Sequence, residues 1–393
     1  MIRRLGPALF VFLGVLGTVT TLLHGYAWLR LVRDPGWPEA VTLAATALLV
    51  LLAVAMPAAV IGARGLPKRW AQPAGWVSYV WLGAIFYLDV TLLVLDGGRM
   101  LFEGVAHASV GSVLGSGDGP IEAPALAVVA SLIAFGLVGA GAMRGLGRPI
   151  VRQVTVPIHG LPAAFEGTRI VQLTDIHVGP VIRRAFVEKL VKEVAALEPD
   201  LIAITGDLVD GSVAELASEV APRAELSAPL GTFFVTGNHE YFSGADAWSE
   251  HVASLGIPVL RNRHVELEKE GSKLTLAGID DAHAARFGGV TDLGRALEGR
   301  DVSLPVILLA HQPRSIEHAS KAGVALQISG HTHGGQMQPF GALVRIEQPF
   351  LRGLHKVGDT AIWVSEGTGT WGPPLRVGIE RSGRCRSTWS CGP

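Results

Sequence analysis

The stretch RIVQLTDIH, residues 169–177, decides the fold. Its first five residues form a short apolar run of the kind that becomes a buried strand, and TDIH sets an aspartate and a histidine just past its end. Outward from there the same arrangement recurs. Residues 201–205 lead into Gly206-Asp207-Leu208-Val209-Asp210-Gly211, and residues 232–235 lead into Gly237-Asn238-His239-Glu240. Residues 306–309 lead through Ala310 into His311-Gln312-Pro313, and residues 325–329 into Gly330-His331-Thr332-His333-Gly334-Gly335. Further strands are expected at 274–277 and 361–364. Residues 183–197 read as an amphipathic helix with Phe186, Leu190, Val194 and Leu197 on one face. Alternating strands and helices predict an α/β fold. In open α/β sheets ligands bind beyond the carboxyl ends of the strands, where these polar blocks fall.

Each block alone is weak. An Asp-x-His arises by chance, a GNHE is most often a turn, and a single histidine such as His311 is most often satisfied inside a core. Five such blocks at five strand ends point to one shared metal site. The set offers two Asp, one Asn, four or five His and no Cys. Imidazole with carboxylate suits Mn, Fe, Zn, Co or Ni and excludes a thiolate site. It is too many ligands for one tetrahedral ion with an open position. Two divalent ions about 3.5–4 Å apart, bridged by a carboxylate, are expected instead. Asp207 is the expected bridge, because Gly206 lets the backbone approach closely. His331 and His333 would share a face on an extended strand. In a turn flanked by Gly330, Gly334 and Gly335 they can diverge toward neighbouring ions.

The first third of the chain has a different character. Hydrophobic residues make up 49% of the 393 and charged ones 17%, below the roughly 25% usual for soluble domains. A net charge of −1 gives no global polarity toward nucleic acid, and none is expected as a partner. The apolar excess lies before Arg144. Four runs, at 5–29, 40–63, 70–95 and 123–143, are long enough to cross a bilayer, which takes about 20 residues. Residues 1–148 are therefore expected to be a membrane region with four transmembrane helices, and 149–393 a separate domain. Trp28, Trp76 and Trp81 fall near expected interfaces.

Arg3, Arg4, Arg64, Lys68, Arg69, Arg144, Arg148 and Arg152 flank one side of the expected spans. The loop 96–122 carries Asp96, Glu103, Asp118 and Glu122 against Arg99. This bias predicts cytoplasmic termini and a cytoplasmic second domain, with Arg30 and Arg33 dissenting. Arg3-Arg4 before an apolar run also resembles a signal peptide, but three more spans follow and no small-x-small cleavage site closes the first. Cys385 and Cys391 could close a short loop in an oxidising compartment and would stay reduced in cytosol. Inside the third span, Asp89 is expected to be satisfied by a Ser, Thr or Tyr of a neighbouring helix, with a His24–Asp89 pair as the weaker alternative.

The blocks TDIH, GDLVDG, GNHEYF, AHQP and GHTHGGQ, in this order, resemble the calcineurin-like metallophosphoesterase superfamily over roughly residues 156–380, and its membrane-attached members in particular. The resemblance implies a four-layer sandwich of two mixed β-sheets flanked by helices; the four-helix transmembrane region before it lies outside the shared domain. It implies one ion held by Asp175, His177, Asp207 and His333, and a second held by Asp207, Asn238, His311 and His331. His239 is implied as the catalytic residue that contacts the phosphate or protonates the leaving oxygen.

Asp210, Glu240, Asp280 and Asp281 are candidate supports for these side chains, weighed against solvated turn residues. Arg376 is a candidate phosphate contact, weighed against an ordinary loop arginine. The expected reaction is hydrolysis of a phosphate mono- or diester by a metal-bridging hydroxide, with no covalent enzyme intermediate. The membrane region suggests a lipid-linked substrate. Two other classes are weighed beside it: a membrane sensor or transporter with an accessory phosphoesterase module, and a scaffold whose metal site is structural.

Overall fold

A computed structural model of the chain describes residues 7–62, 68–110, 123–379 and 382–391. Contacts divide it into two units, Met1–Ala142 and Met143–Pro393. The helices α1 (Pro7–Trp28), α2 (Glu39–Gly62), α3 (Lys68–Val110) and α4 (Ala123–Leu146) come first. Within them Glu39–Ala58, Gln72–Phe102 and Ala123–Leu146 are long and apolar enough to cross a membrane. The first expected span begins among residues outside the described set, as do Arg3, Arg4 and Arg64 of the charge bias.

Helix α3 corrects the expected end of the third span at residue 95, because it continues unbroken to Val110. The cause lies at Asp96. Its carboxylate accepts from Tyr26 Oη (2.7 Å) and Arg30 Nη2 (2.5 Å), so the charge is balanced within the bundle rather than exposed in a loop. Residues 111–122 of that expected loop lie outside the described set. His24 is likewise occupied: Nδ1 bonds Thr20 O (2.9 Å), and Nε2 accepts from Trp81 Nε1 (2.9 Å). The His24–Asp89 pair therefore does not form. Asp89 is buried, and neither of its oxygens has a hydrogen-bond partner among the described residues, so the expected hydroxyl partner is also missing.

In the second unit, strands β1 (Ile150–Ile158) and β2 (Arg169–Leu173) precede α5 (Arg184–Ala195), β3 (Leu201–Thr205), α6 (Val213–Val220) and β4 (Thr232–Val235). Next come α7 (Asn238–Ser243), α8 (Ala245–Ser254), β5 (Arg263–Lys269), β6 (Ser272–Gly278), α9 (Leu293–Ala296), β7 (Val306–Leu309) and α10 (Ile316–Lys321). β8 (Leu326–Ser329), α11 (Gly341–Glu347), β9 (Gly353–Val357), β10 (Thr360–Val364) and β11 (Ser382–Cys391) complete the order. Cys385 and Cys391 both fall in β11; their side chains lie outside the described set.

Two mixed sheets result, one ordered β1-β11-β2-β3-β4 and the other β5-β6-β7-β8-β10-β9. The central pairs β2–β3–β4 and β6–β7–β8–β10 are parallel; β11–β2, β5–β6 and β10–β9 are antiparallel. Successive side chains of a strand point to opposite faces. Ile170, Leu201, Ala203, Phe233 and Val235 thus pack with Leu274, Leu276, Ile307, Leu309, Leu326 and Ile328 between the sheets. Their neighbours Val171, Leu173, Ile202, Ile204 and Phe234 pack outward on Val187, Leu190 and Val194 of α5, Leu216 of α6 and Trp248 of α8. On the other sheet, Val306, Leu308, Ile362 and Val364 meet Ala296 of α9 and Ile316 of α10. Burial on both faces is why these strands read as continuous apolar runs.

One polar side chain crosses the core between the sheets. Gln172 Nε2 donates to Thr205 Oγ1 (2.7 Å) and to Ser329 O (2.9 Å), tying the end of β2 to β3 and β8. Gln172→Leu removes both bonds and is expected to lower stability by about 1–3 kcal/mol. Denaturant unfolding of the purified protein in metal-free buffer checks this; an unchanged midpoint would show that the bridge contributes nothing.

Candidate metal centre

The turns after β2, β3 and β8 have an unusual backbone. Asp175 (φ 52°), His177 (53°), Asp207 (51°), His331 (71°) and His333 (48°) all occupy the left-handed region, which L-residues with side chains seldom adopt. Backbone bonds enforce it. Asp175 N donates to Gly206 O (3.0 Å), and the amides of Ile176 and His177 both donate to Asp207 O (2.9 and 3.1 Å). Glu240, fully buried, accepts from the amides of Gly237 (2.7 Å), Asp207 (2.9 Å) and Leu208 (2.7 Å), fastening α7 to the turn after β3. Asp175 accepts His331 N on both oxygens (3.0 Å each). A Cβ at Gly330 would collide with Thr174 Oγ1 and Asp175 Oδ2, so this close approach of two turns requires glycine.

The side chains gather in groups. Asp175, His177 and His333 bring ligand atoms together, as do Asp207, His311 and His331. In the first, His177 Nε2 and His333 Nε2 stand 3.1 Å apart, with Asp175 Oδ1 3.5 Å from His333 Nε2. Two nitrogens sharing an ion at about 2.1 Å would be separated by roughly 3.0–3.4 Å. Asp207 Oδ2 is 3.1 Å from His311 Nε2 and 3.8 Å from His177 Nε2, so it reaches both groups. Its Oδ1 accepts from His239 N (2.8 Å).

The fit to cations can be tested on the atoms left over. Asn238 Oδ1, His311 Nε2 and His331 Nδ1 are buried without a hydrogen-bond partner among the described residues. Such atoms are rare in folded proteins and costly unless something binds them. The opposite ring nitrogens have the partners that ligating histidines use: His311 Nδ1 bonds Thr205 O (2.7 Å), and His177 Nδ1 bonds Asp210 Oδ1 (3.0 Å). The residues fit divalent ions.

Electrostatics divide the histidines: burial favours a neutral His311, but Asp207 holds that ring well above the ordinary range, while His331 and His333 go the other way. Burial, with the charge of His311, pushes His331 down to about 3. Burial and His177 hold His333 well below the ordinary range, so both rings are neutral, the form that ligates. Burial opposes ionisation of Asp207, but the positive charges of His311 and His239 outweigh it and keep the carboxylate charged. For His239 burial favours the neutral ring, yet Asp207 and Asp210 push it up to about 9.

The remaining predicted residues are distributed as follows. Asp210 Oδ1 lies between two imidazoles, 3.0 Å from His177 Nδ1 and 2.6 Å from His239 Nδ1. Asp280 faces Arg261 Nε (2.9 Å) and Thr236 rather than the histidine groups. Asp281 binds His283 N (2.8 Å) and Gln312 Nε2 (2.9 Å), next to His311. Arg376 corrects its expectation as a phosphate contact. It is fully buried and donates to the carbonyls of Glu366 (2.7 Å), Gly369 (2.8 Å) and His333 (3.3 Å), binding the loop after β10 to the histidine turn. Gln336, the last residue of the GHTHGGQ block, has a role that the block alone does not assign. Its side chain joins Trp371 N and the carbonyls of Trp371 and Pro373, and the signal was a glutamine directly after paired glycines.

Glu240→Ala leaves three buried amides without an acceptor, and each such loss costs about 1–3 kcal/mol. The variant is expected to unfold earlier and to lose bound Mn²⁺ together, measured by thermal unfolding and elemental analysis. Full metal content at reduced stability would separate the clamp from the site.

The family described as calcineurin-like phosphoesterase matches residues 168–335. A "transmembrane protein with metallophosphoesterase domain" from Bos taurus is 37% identical over 77% of this chain and 71% of its own length. The protein of the same name from Danio rerio is 37% identical over 76% and 69%. An uncharacterised metallophosphoesterase from Helicobacter pylori is 39% identical over 60% and 63%. With the histidine and aspartate clusters at its strand ends, the chain belongs to the calcineurin-like metallophosphoesterases.

Proposed function

We propose that the chain is a membrane-anchored, dinuclear metal-dependent phosphohydrolase that cleaves a phosphate mono- or diester. The observation that carries this reading is Asp207 Oδ2, within 3.1 Å of His311 Nε2 and 3.8 Å of His177 Nε2, where a carboxylate would bridge two ions. One ion would be held by Asp175, His177, Asp207 and His333, the other by Asp207, Asn238, His311 and His331; Mn, Fe or Zn suits these donors. When bound, such ions supply Lewis-acid charge for the phosphoryl oxygens and make water acidic enough to attack near neutral pH.

The chain's own residues do the rest. Asp210 holds His239 by Nδ1 and leaves Nε2 to carry a proton to the leaving oxygen. The same carboxylate fixes the ring of His177, and Thr205 O fixes that of His311, so that both Nε2 atoms face inward. Residues 1–148 are taken as a membrane region of four spans and 149–393 as a cytoplasmic catalytic domain in four layers, acting on a lipid-linked ester. Three apolar helices and the names of the bovine and zebrafish relatives support the membrane region, and apolar clusters on both faces of each sheet support the layering.

Full-length protein in lipid nanodiscs, loaded with Mn²⁺, is expected to hydrolyse p-nitrophenyl esters and to stop on chelation. His239→Ala should lower kcat by about 10²–10⁴ with metal content retained. Asp207→Asn should lose both turnover and metal. Metal-loaded protein inert toward mono- and diesters, lipid esters included, would sink the reading.

A further inference from the structure

Two aromatic side chains from separate elements border His239, and a third packs on one of them. Phe242 of α7 lies 5.5 Å from the His239 ring and Trp371, from the loop after β10, 5.9 Å. Phe287, from the turn after β6, lies 5.8 Å from Phe242. None is core: Phe242 is 46%, Phe287 52% and Trp371 48% exposed. Scattered exposed hydrophobic residues are ordinary, but a contiguous exposed cluster marks a binding surface. Nor is Trp371 on a loose loop. Its amide donates to Gln336 Oε1 (3.0 Å) and its carbonyl accepts from Gln336 Nε2 (2.8 Å), so it is pinned to the turn that carries His331 and His333.

We infer that Phe242, Phe287 and Trp371 form the leaving-group subsite and select esters whose alcohol carries an alkyl chain. The inference rests on the proposed role of His239 as proton donor. If His239 Nε2 protonates the leaving oxygen, the carbon atoms attached to that oxygen must extend over the rings that border His239. The surface beside His239 is apolar, with Phe242 and Trp371 inclined at 76° and 75° to its ring and Phe287 at 62° to Phe242, so ring edges as well as faces line it. A flexible chain can follow such a surface, and its burial is favourable in proportion to area. A polyol in the same position would give up water without gaining hydrogen bonds from the rings. The chain's own apolar helices, long enough to span a bilayer, make an alkyl-bearing ester the natural encounter.

The test uses full-length, Mn²⁺-loaded protein in nanodiscs and three non-hydrolysable probes: n-hexylphosphonate, 2,3-dihydroxypropylphosphonate and a nucleoside 5′-phosphonate. Calorimetric titration, corrected with empty discs, is expected to give hexylphosphonate about tenfold tighter binding than either competitor. That preference should fall toward parity in Phe242→Ala and Trp371→Ala. A parallel rise in KM for n-hexyl phosphate relative to glycerol phosphate is expected wherever turnover is seen. Equal affinities in the parent, tightest binding of the nucleoside probe, or a preference untouched by both substitutions would overturn the subsite. Alkyl-selective binding without turnover of either ester would support the subsite while removing the hydrolase reading. The two failures are thus distinguishable.

Discussion

The carboxylate of Asp207 is the group around which the second unit is arranged. It is buried, at the end of a parallel strand, with Oδ1 on the amide of His239 and Oδ2 between His311 and His177. An ionised carboxylate in such a place costs several kcal/mol unless positive charge stands beside it. Here the protonated rings of His311 and His239 supply that charge and keep Asp207 ionised. Divalent cations would supply the same charge, and they would also take up Asn238 Oδ1 and His331 Nδ1, which have no hydrogen-bond partner among the described residues. Asp207 is therefore tolerable only in a cationic environment.

Backbone conformation follows from that demand. To bring donors from separate turns within reach of one another, the chain holds Asp175, His177, Asp207, His331 and His333 at positive φ. Each such residue costs about 1–3 kcal/mol and persists only where its surroundings over-determine it. Glu240, with three amides on its carboxylate, and Arg376, with carbonyls from the loop after β10 and from His333, supply that over-determination. Both are buried side chains whose bonds fix backbone that local preference would not choose.

How much of this was legible in the sequence depends on whether the signal was local. Strands β2, β3, β4, β7, β8 and β10 were readable because they are buried on both faces and so run apolar throughout. β1, β5 and β9 were not. Much of β1 is exposed and β5 carries Arg263, Glu266 and Glu268, while β9 pairs only with β10 among the described strands; their pattern is that of a half-solvated edge. The residues of the site were legible by type, each standing within a few positions of a strand end. What holds them was not. Asp210 between two imidazoles, Gln336 on Trp371 and Arg376 on His333 are contacts between distant segments, and no spacing announces them. The same limit applied to α3, where Asp96 looked like a loop residue until Arg30 and Tyr26 were found beside it.

Both sheets contribute to the site, and this ties metal to folding. Asp175, His177, Asp207 and Asn238 follow strands of one sheet, while His311, His331 and His333 follow strands of the other. Beside a group of His177, Asp210 and His239 on the first sheet alone, the two groups around Asp175 and Asp207 each contain an aspartate from the first sheet and histidine from the second. An ion seated in either group would therefore join the sheets at the end where Gln172 already does so by hydrogen bonds. A ligand that binds the native state alone stabilises it by an amount that grows with its affinity, roughly 1.4 kcal/mol for each tenfold excess over Kd. The unfolded chain cannot offer the same set, because its donors are spread over more than 150 residues from Asp175 to His333 and meet only when both sheets have formed. Strain in the turns and desolvation of the carboxylates would then be offset by a cation seated among the same turns.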